Sequence, residues 1–156
     1  MTADVETLRT VAAYQFGQGA GEALFPHDEE RTITRTSSGR PRQVRVESGR
    51  VATYGTDGRF RLGIEGGRRL HDALPDGAYR VAVGDESEPF VRDGRNAFAK
   101  FVSTADDGIR PRDEVLVVHT DGRLLAVGRA ELPGEAMLAF ETGMAVKVRE
   151  SASAPE

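Results

Sequence analysis

The chain of 156 residues contains no cysteine, which excludes disulfide bonds and thiolate chemistry. It also has no run of about 18 apolar residues, the length that a membrane-spanning helix needs. Its N-terminus has neither a basic segment nor an apolar one, so no signal peptide is predicted. Together with 38% hydrophobic and 29% charged residues, these absences predict a globular protein of the cytoplasm with one domain or two small ones.

Lysine is nearly absent, since only Lys100 and Lys147 occur beside 19 arginines. One interpretation is functional, because the planar guanidinium group suits phosphates and base edges. The other is adaptation to high salt, for which an acid-rich and lysine-poor surface is typical. Both interpretations stay open at the level of the sequence.

The net charge of −4 is unevenly distributed along the chain. Residues 1–30 carry six acids and one base, and residues 81–156 carry fourteen acids and nine bases. Residues 31–80, in contrast, carry eleven bases and five acids, a local charge of +6. A basic centre between acidic flanks can attract phosphate while the whole molecule stays soluble.

The first 77 residues combine helical and strand patterns. Leu8, Val11 and Ala12 share one helical face, whereas around Val44 and Phe60 apolar and polar residues alternate. Turn signals between the alternating runs predict a small antiparallel meander. A domain boundary is predicted at the Pro75-Asp76-Gly77 turn. The predicted elements are helices over 4–15, 22–25 and 66–74, and strands that include 43–47 and 59–64.

The second half predicts a mixed set of short elements. Ser87 is placed to cap a helix that Gly94 ends in the left-handed conformation. We expect Met137, Leu138 and Phe140 to give apolar contacts from a later helix. In the last strand Ala145, Lys147 and Arg149 are expected to face outward. The predicted strands are 79–83, a mostly buried 97–102 interrupted by Lys100, 115–118, 124–132 and 144–149, and the tail 151–156 is expected to be disordered.

Four sequence blocks in this half resemble the PUA domain of archaeal proteins. In order, they are Glu88–Val102, Arg110–Val118, Leu125–Ala130 and Gly143–Arg149. The resemblance implies an α+β protein, with a small α+β subdomain over 1–77 and a PUA-type mixed β pseudobarrel with two short helices over 78–150. Two positions depart from the family pattern, because Ala97 replaces a larger aliphatic residue and Arg112 replaces a glycine.

The first half resembles a different part of a family. Tyr14–Gly21, with the meander behind it, is similar to the segment that precedes the PUA domain in archaeal archaeosine tRNA-guanine transglycosylases. The transglycosylase barrel, its catalytic aspartates and its cysteine-bearing zinc site have no counterpart in this sequence. The resemblance therefore implies the tRNA-gripping part of such an enzyme without its catalytic part.

The PUA resemblance implies that the edge between the first helix and the following strand contacts RNA, as does the last strand. Gly94 lets the backbone approach a phosphate or a flipped base, Arg95 can neutralise phosphate, and Asn96 can read a base edge. The alternative is that Gly94 only ends a helix and that Lys147 is only a solvated surface residue. The candidate RNA-binding residues are Arg92, Gly94, Arg95, Asn96, Lys100, Arg112, Lys147 and Arg149. Auxiliary phosphate contacts are expected from the basic strands, at Arg42, Arg45, Arg59 and Arg61.

No catalytic site, metal site or cofactor is predicted. The glycines at 17, 19 and 21 follow a helix, whereas a dinucleotide-binding loop follows a strand. His27, His71 and His119 lie far apart in sequence, and without cysteine a zinc site requires them to converge with a carboxylate. No histidine stands with a recognisable nucleophile turn.

The leading hypothesis is a non-catalytic RNA-binding protein that recognises tRNA or another structured RNA in connection with RNA modification. The alternative is an accessory docking subunit of an archaeosine-pathway tRNA modification enzyme, with little RNA affinity of its own. An enzyme with an unfamiliar site is the third possibility. RNA is thus the expected partner, a tRNA-modifying enzyme is the second, and no membrane is expected.

Overall fold

The structure is a computed structural model that describes residues 2–152, with side chains from residue 4 onward. It divides into two compact units, Met1–Leu74 and Pro75–Glu156. No helix among the described residues is long and apolar enough to cross a membrane. The predicted boundary after residue 77 lies a few residues beyond this division.

The first unit consists of helices around an antiparallel meander. The four strands follow one another in space as they do in sequence, β1-β2-β3-β4. Val44, Ala52 and Leu62 pair across three strands and are buried, as alternation along each strand predicts. The elements are α1 (Thr2–Phe16), α2 (Ala20–Leu24), β1 (Thr32–Arg35), β2 (Pro41–Val46), β3 (Gly49–Tyr54), β4 (Phe60–Leu62) and α3 (Ile64–Ala73).

The second unit is a six-stranded sheet of mixed direction. Its order is β6-β10-β9-β8-β5-β7, and only the β5–β8 pair is parallel. The elements are β5 (Arg80–Val83), α4 (Glu88–Arg92), β6 (Ala97–Phe98), a 3-10 helix (Ala99–Phe101), β7 (Val102–Ala105), β8 (Glu114–His119), β9 (Leu124–Ala130), α5 (Gly134–Ala139) and β10 (Met144–Ser151).

The sheet of the second unit is nearly closed into a barrel. β6 and β7 are its two outer strands, yet along the chain only the 3-10 helix Ala99–Phe101 separates them. The two edges therefore lie close together, and the apolar faces of the strands turn inward around one core. That core includes Val81, Val117, Leu125 and Val146, all of them fully buried. The expected PUA-type pseudobarrel is confirmed.

Two of the predicted strands need correction. The strand expected over 97–102 is interrupted, because the chain leaves one edge of the sheet after Phe98 and joins the opposite edge at Val102. Lys100 consequently lies in the 3-10 helix and not inside a strand. In β10, Ala145 is buried and not outward, because the strand is irregular between Met144 and Val146, which breaks the alternation.

Three smaller expectations also fail. Ser87 precedes α4 but makes no capping hydrogen bond, since its own backbone is already helical and its side chain is buried. On α5 only Met137 enters the core, whereas Leu138 and Phe140 are 54% and 51% exposed. The expected disordered tail begins too early, because β10 extends to Ser151 and Ala152 is buried, whereas residues 153–156 lie outside the described part.

Candidate nucleic-acid interface

The turn that follows α4 places the backbone of Gly94 at the surface. The N–H groups of Gly94 and Arg95 donate to the carbonyls of Val91 and Phe90, both at 3.0 Å. These two hydrogen bonds end the helix, and their geometry requires a positive φ at position 94. Gly94 has φ +90°, and a Cβ there would meet no heavy atom within 4 Å. The predicted left-handed helix end is confirmed, and the exposed turn gives a ligand access to the backbone.

An open pocket of about 380 Å³ lies between this turn and β6. Phe90 and Phe98 contribute rings that are 55% and 45% exposed. A volume of this size is typical of ligand sites, and apolar walls with a few polar groups are their usual lining. The lining residues are Glu86, Ser87, Phe90, Val91, Arg95, Asn96, Ala97, Phe98 and Phe101.

Two cations stand beside the aromatic rings of the pocket. The guanidinium carbon of Arg95 is 5.8 Å from the centroid of the Phe90 ring, and the Lys100 ammonium is 5.0 Å from that of Phe101. Both side chains reach solvent, and the nearest carboxylate to Arg95, that of Asp93, is 3.9 Å away. Apolar ring faces and exposed cations thus meet at one place, an arrangement suited to a ligand that is both aromatic and anionic.

Asn96 directly precedes the edge strand β6, and Lys147 lies on the neighbouring strand β10. The side-chain oxygen of Asn96 accepts a hydrogen bond of 3.0 Å from the N–H of Val148, which leaves its NH₂ group to donate to a ligand. Lys147 is exposed on β10, next to Val146, which pairs with Ala97 of β6. The structure therefore brings four of the predicted residues together: Gly94, Arg95, Asn96 and Lys100, with Lys147 beside them.

Two predicted arginines serve the fold of the barrel. Arg92 is largely buried; it donates to Glu88 at 2.9 Å and to the carbonyl of Ala152 at 3.3 Å. Arg149 donates to both carboxylate oxygens of Glu114, at 2.5 and 2.9 Å, and Glu114 is only 2% exposed. Both guanidinium groups are committed to internal partners, so the prediction that they contact RNA is not supported by their surroundings.

Arg112 lies away from the pocket, in a turn. Its backbone has a positive φ, which explains why PUA domains usually have a glycine at this position. Its φ is +77°, a conformation that favours glycine, and its N–H donates to Ala130 at 2.7 Å. The side chain is exposed, but β9 and β10 separate this turn from β6.

The predicted auxiliary arginines of the first unit are in part surface groups. Arg42, Arg45 and Arg61 are exposed, whereas Arg59 is half-buried. Arg61 pairs with Asp57 at 3.4 Å. Arg45 and Arg61 alternate with buried residues of their strands, as predicted, whereas Arg42 is exposed although it has the parity of the buried Val44.

The three phenylalanines of the pocket were missed by the sequence interpretation. Phe90, Phe98 and Phe101 lie within twelve residues of one another, in a chain with seven phenylalanines. Each stands near a cationic residue in the sequence, and that interleaving of aromatic and basic residues was the available signal. It was overlooked because Phe98 and Phe101 were assigned to the interior of a strand.

His119 stands in a cluster that could be mistaken for a metal site. Ligand atoms of Asp85, Glu88 and His119 all lie within 4.8 Å of one another. However, Nδ1 of His119 accepts the N–H of Asp121 at 3.0 Å, so the neutral ring carries its proton on Nε2 and donates to Asp85 at 2.6 Å. Neither ring nitrogen then offers a free lone pair to a metal ion within the cluster. The arrangement of the three side chains therefore suits an internal hydrogen-bond network better than a cation site.

The carboxylate of Glu88 is held by two arginines. Arg123 donates to both of its oxygens at 3.0 Å, and Arg92 adds a bond of 2.9 Å. The hydrogen bonds from Arg123 and then from Arg92 keep the pKa of Glu88 below its ordinary value. The two bonds from Arg123 connect α4 with the turn between β8 and β9, and so they position the helix that carries one wall of the pocket.

Replacing Glu88 by Gln is expected to lower the free energy of unfolding at neutral pH. Because the pKa of Glu88 is depressed in the folded state, its ionised carboxylate stabilises the fold above the unfolded-state pKa. This stabilisation is lost as the pH falls through the folded-state pKa. The difference between wild type and Glu88→Gln should therefore vanish in acid. Urea unfolding at a series of pH values measures it, with Glu86→Gln on the exposed loop as the control. A difference that persists unchanged into acid would contradict the expectation.

Two domain families match the chain in succession. The patch-forming domain C2 of tRNA-guanine transglycosylase matches residues 6–76, and the PUA domain matches residues 79–152. Among solved structures, a hypothetical protein of Pyrococcus horikoshii has a TM-score of 0.69 at 23% identity and covers 97% of this chain and 91% of its own. A conserved PUA domain protein of Thermoplasma acidophilum has a TM-score of 0.58 at 21% identity, with 92% and 89% covered. These two similarities support the fold.

The sequence relatives are larger proteins. The tRNA-guanine(15) transglycosylase of Pyrococcus furiosus is 50% identical over 143 residues, which are 91% of this chain and 24% of the relative. That of Methanothermobacter thermautotrophicus is 45% identical over 147 residues, or 94% of this chain and 22% of the relative. The chain thus spans about a quarter of the length of these relatives. Residues 79–152 thus match a PUA domain and residues 6–76 match the C2 domain of the tRNA-guanine transglycosylases, so the chain resembles the C-terminal part of these relatives.

Proposed function

We propose that this protein binds tRNA without catalysing a reaction, and that the pocket beside Gly94 holds an unpaired nucleotide of that RNA. The observation that carries the proposal is the meeting of aromatic rings with exposed cations at one pocket: the exposed Phe90 with Arg95, and the half-buried Phe101 with Lys100. Proteins recognise RNA mainly at unstacked bases, which stack on aromatic side chains or guanidinium planes. The proposed activity is one of the cytoplasm, where tRNA is modified.

Each group at the pocket has a role in this proposal. A base stacks against Phe90 or Phe98, and the NH₂ group of Asn96 donates to an acceptor on its edge. The backbone at Gly94 is open to the sugar–phosphate chain. The cations at the rim, which include Arg95, Lys100 and Lys147, neutralise neighbouring phosphates.

The basic strands of the first unit add contacts that do not depend on sequence. Arg42, Arg45 and Arg61 are exposed on a segment with a local charge of +6. Phosphate contacts of this type raise affinity for all RNAs alike and make it dependent on salt. Arg112 and the half-buried Arg59 complete the proposed set of phosphate contacts.

The double variant Arg95→Ala/Lys100→Ala is expected to bind tRNA more weakly and with a smaller dependence on salt. Each phosphate contact that is lost reduces the number of counterions released on binding. The log–log slope of affinity against salt should therefore fall by about 1.4, at roughly 0.7 per contact with single-stranded RNA. Exposed charges contribute less than about 1 kcal/mol to folding, so the melting temperature should barely change. Electrophoretic shift or fluorescence anisotropy across a salt series measures the slope.

A matched control removes two exposed arginines elsewhere, at Arg68 and Arg110. Its slope should stay closer to that of the wild type. If the pocket double variant folds and binds tRNA with the wild-type affinity and slope, the pocket is not the RNA site.

The second candidate is an accessory subunit that docks on a tRNA modification enzyme. It is favoured by one observation, that residues 6–76 match a domain of the tRNA-guanine transglycosylases. The two candidates differ in a simple respect. A protein that binds tRNA alone supports the first, whereas one that binds only together with a transglycosylase catalytic subunit supports the second.

A further inference from the structure

A groove on the first unit is not used as a binding site in the proposals above, although Arg59 at its border is one of the proposed phosphate contacts. It has a volume of about 390 Å³ and lies between α1 and the turn that joins β3 to β4. Tyr14 forms one wall with a side chain that is 89% exposed, the largest exposed fraction among the large apolar residues in the described part of the chain. The lining residues are Val11, Tyr14, Gln15, Gly58 and Arg59.

The two walls of the groove are fixed relative to each other by Gln15. Its side-chain NH₂ group donates to the carbonyl of Phe60 at 2.9 Å, and its oxygen accepts the N–H of Phe60 at 2.7 Å. Both backbone groups of Phe60 on β4 are therefore paired with the helix. Since Tyr14 precedes Gln15 on α1, this clamp sets the distance between the Tyr14 ring and the β3–β4 turn.

The opposite wall is open and basic. Gly58 has φ +80°, and a Cβ there would meet no heavy atom within 4 Å, so a ligand can approach its backbone. Asp57, the acid of this turn, accepts the N–H of Arg59 at 3.1 Å and pairs with Arg61 at 3.4 Å. Its charge is thus matched within the turn, and it does not repel an anion from the groove.

We propose that this groove holds one unstacked nucleobase of the bound RNA, stacked on the ring of Tyr14. The proposal rests on the proposed RNA binding and adds a second, separate base site in the first unit. Among the lining residues only Val11 and Tyr14 are apolar, which is too small a face for a protein helix but sufficient for one planar base. Arg59 lines the groove, and the turn to which it belongs lies in the segment 31–80 with its charge of +6, which favours an anionic ligand over a neutral one.

Replacing Tyr14 by Ala is expected to lower the affinity for tRNA by roughly five- to 150-fold, the range found when stacking on one base is lost. Tyr14→Phe keeps the ring and should bind like the wild type. Stacking releases no counterions, so the log–log salt slope of Tyr14→Ala should equal that of the wild type. This combination distinguishes a stacking residue from a phosphate contact, whose loss lowers the slope. Because the Tyr14 ring is exposed, Tyr14→Ala should fold like the wild type, and circular dichroism checks that it does.

Tyr14→Trp provides a direct readout, because the chain contains no other tryptophan. Stacking of a base on the indole should quench its fluorescence as tRNA is added. Phe140→Trp is the matched control, since Phe140 is also exposed but lies outside both the pocket and the groove. The control tryptophan should not be quenched.

The outcomes separate this proposal from the one on which it rests. Suppose that the wild type binds tRNA, that Tyr14→Ala binds it with the same affinity, and that the fluorescence of Tyr14→Trp is not quenched. The proposed base site in the groove is then overturned, whereas RNA binding by the protein stands. Loss of affinity with a lowered salt slope also overturns the stacking role. Wild type that binds no RNA overturns the proposed function itself. If Tyr14→Trp is quenched by a protein partner and not by tRNA, the groove is a protein contact and the proposal fails.

Discussion

Arg149→Met is expected to lower the free energy of unfolding by about 3–5 kcal/mol, because it removes the guanidinium group that faces the buried Glu114 carboxylate. Glu114 is 2% exposed, and Arg149 donates to both of its oxygens. The reference is Arg129→Met on the neighbouring strand, where a more exposed pair with Glu131 at 2.9 Å should contribute under about 1 kcal/mol. Urea unfolding of both variants measures the difference, and equal losses would refute the assignment.

A second pair of variants tests whether Arg149 has any direct role in RNA binding. Glu114→Leu combined with Arg149→Met leaves no charge buried, so it should recover much of the lost stability. Because the guanidinium group of Arg149 is committed to Glu114, this double variant should bind tRNA with the wild-type salt slope. A slope that falls by about 0.7 would show instead that Arg149 contacts phosphate.

Gly134→Ala is expected to destabilise the second unit by about 2–3 kcal/mol through a backbone collision. A Cβ at Gly134 would lie 2.0 Å from the carbonyl oxygen of Asp106 and 3.3 Å from the Cα of Asp107. α5 cannot move away freely, because the N–H of Gly134 donates to Ile109 at 3.0 Å. Gly84→Ala is the control, since a Cβ there meets nothing within 4 Å. Denaturant titration measures both.

The same variant is expected to affect the RNA site. α5 contacts the 3-10 helix Ala99–Phe101, which carries Lys100 and one wall of the pocket. A displaced α5 would therefore disturb the pocket as well as the core. RNA affinity of the folded Gly134→Ala protein that equals the wild-type value would argue against this coupling.

The order of the elements was largely predictable, because it depends on local patterns. Alternation around Val44 and Phe60 and the turn signals between the runs were sufficient for the meander, and the left-handed turn at Gly94 was predicted in the correct place. The PUA blocks then supplied the barrel. These features need no knowledge of which distant residues meet.

The details of the candidate site depend on contacts between distant parts of the chain. A sequence reader sees Arg149 as an outward residue of a strand, and only the fold brings Glu114 to it across 35 positions. Likewise, β6 contains only two residues, too few for alternation to show that Phe98 points outward while Ala97 and Ala99 are buried. Arg92 was likewise predicted to lie at the surface, because its contact with the distant Ala152 is visible only in the fold.

The position of β10 in the sheet has a consequence for synthesis on the ribosome. This strand pairs with β6 on one side and β9 on the other, although it follows both in sequence. A nascent chain that ends before Met144 therefore exposes two unpaired strand edges, each able to pair with another chain. The first unit contains only neighbouring pairs and can fold as soon as it emerges. We expect the barrel, in contrast, to form late and in one step, during which it is most open to aggregation or to a chaperone.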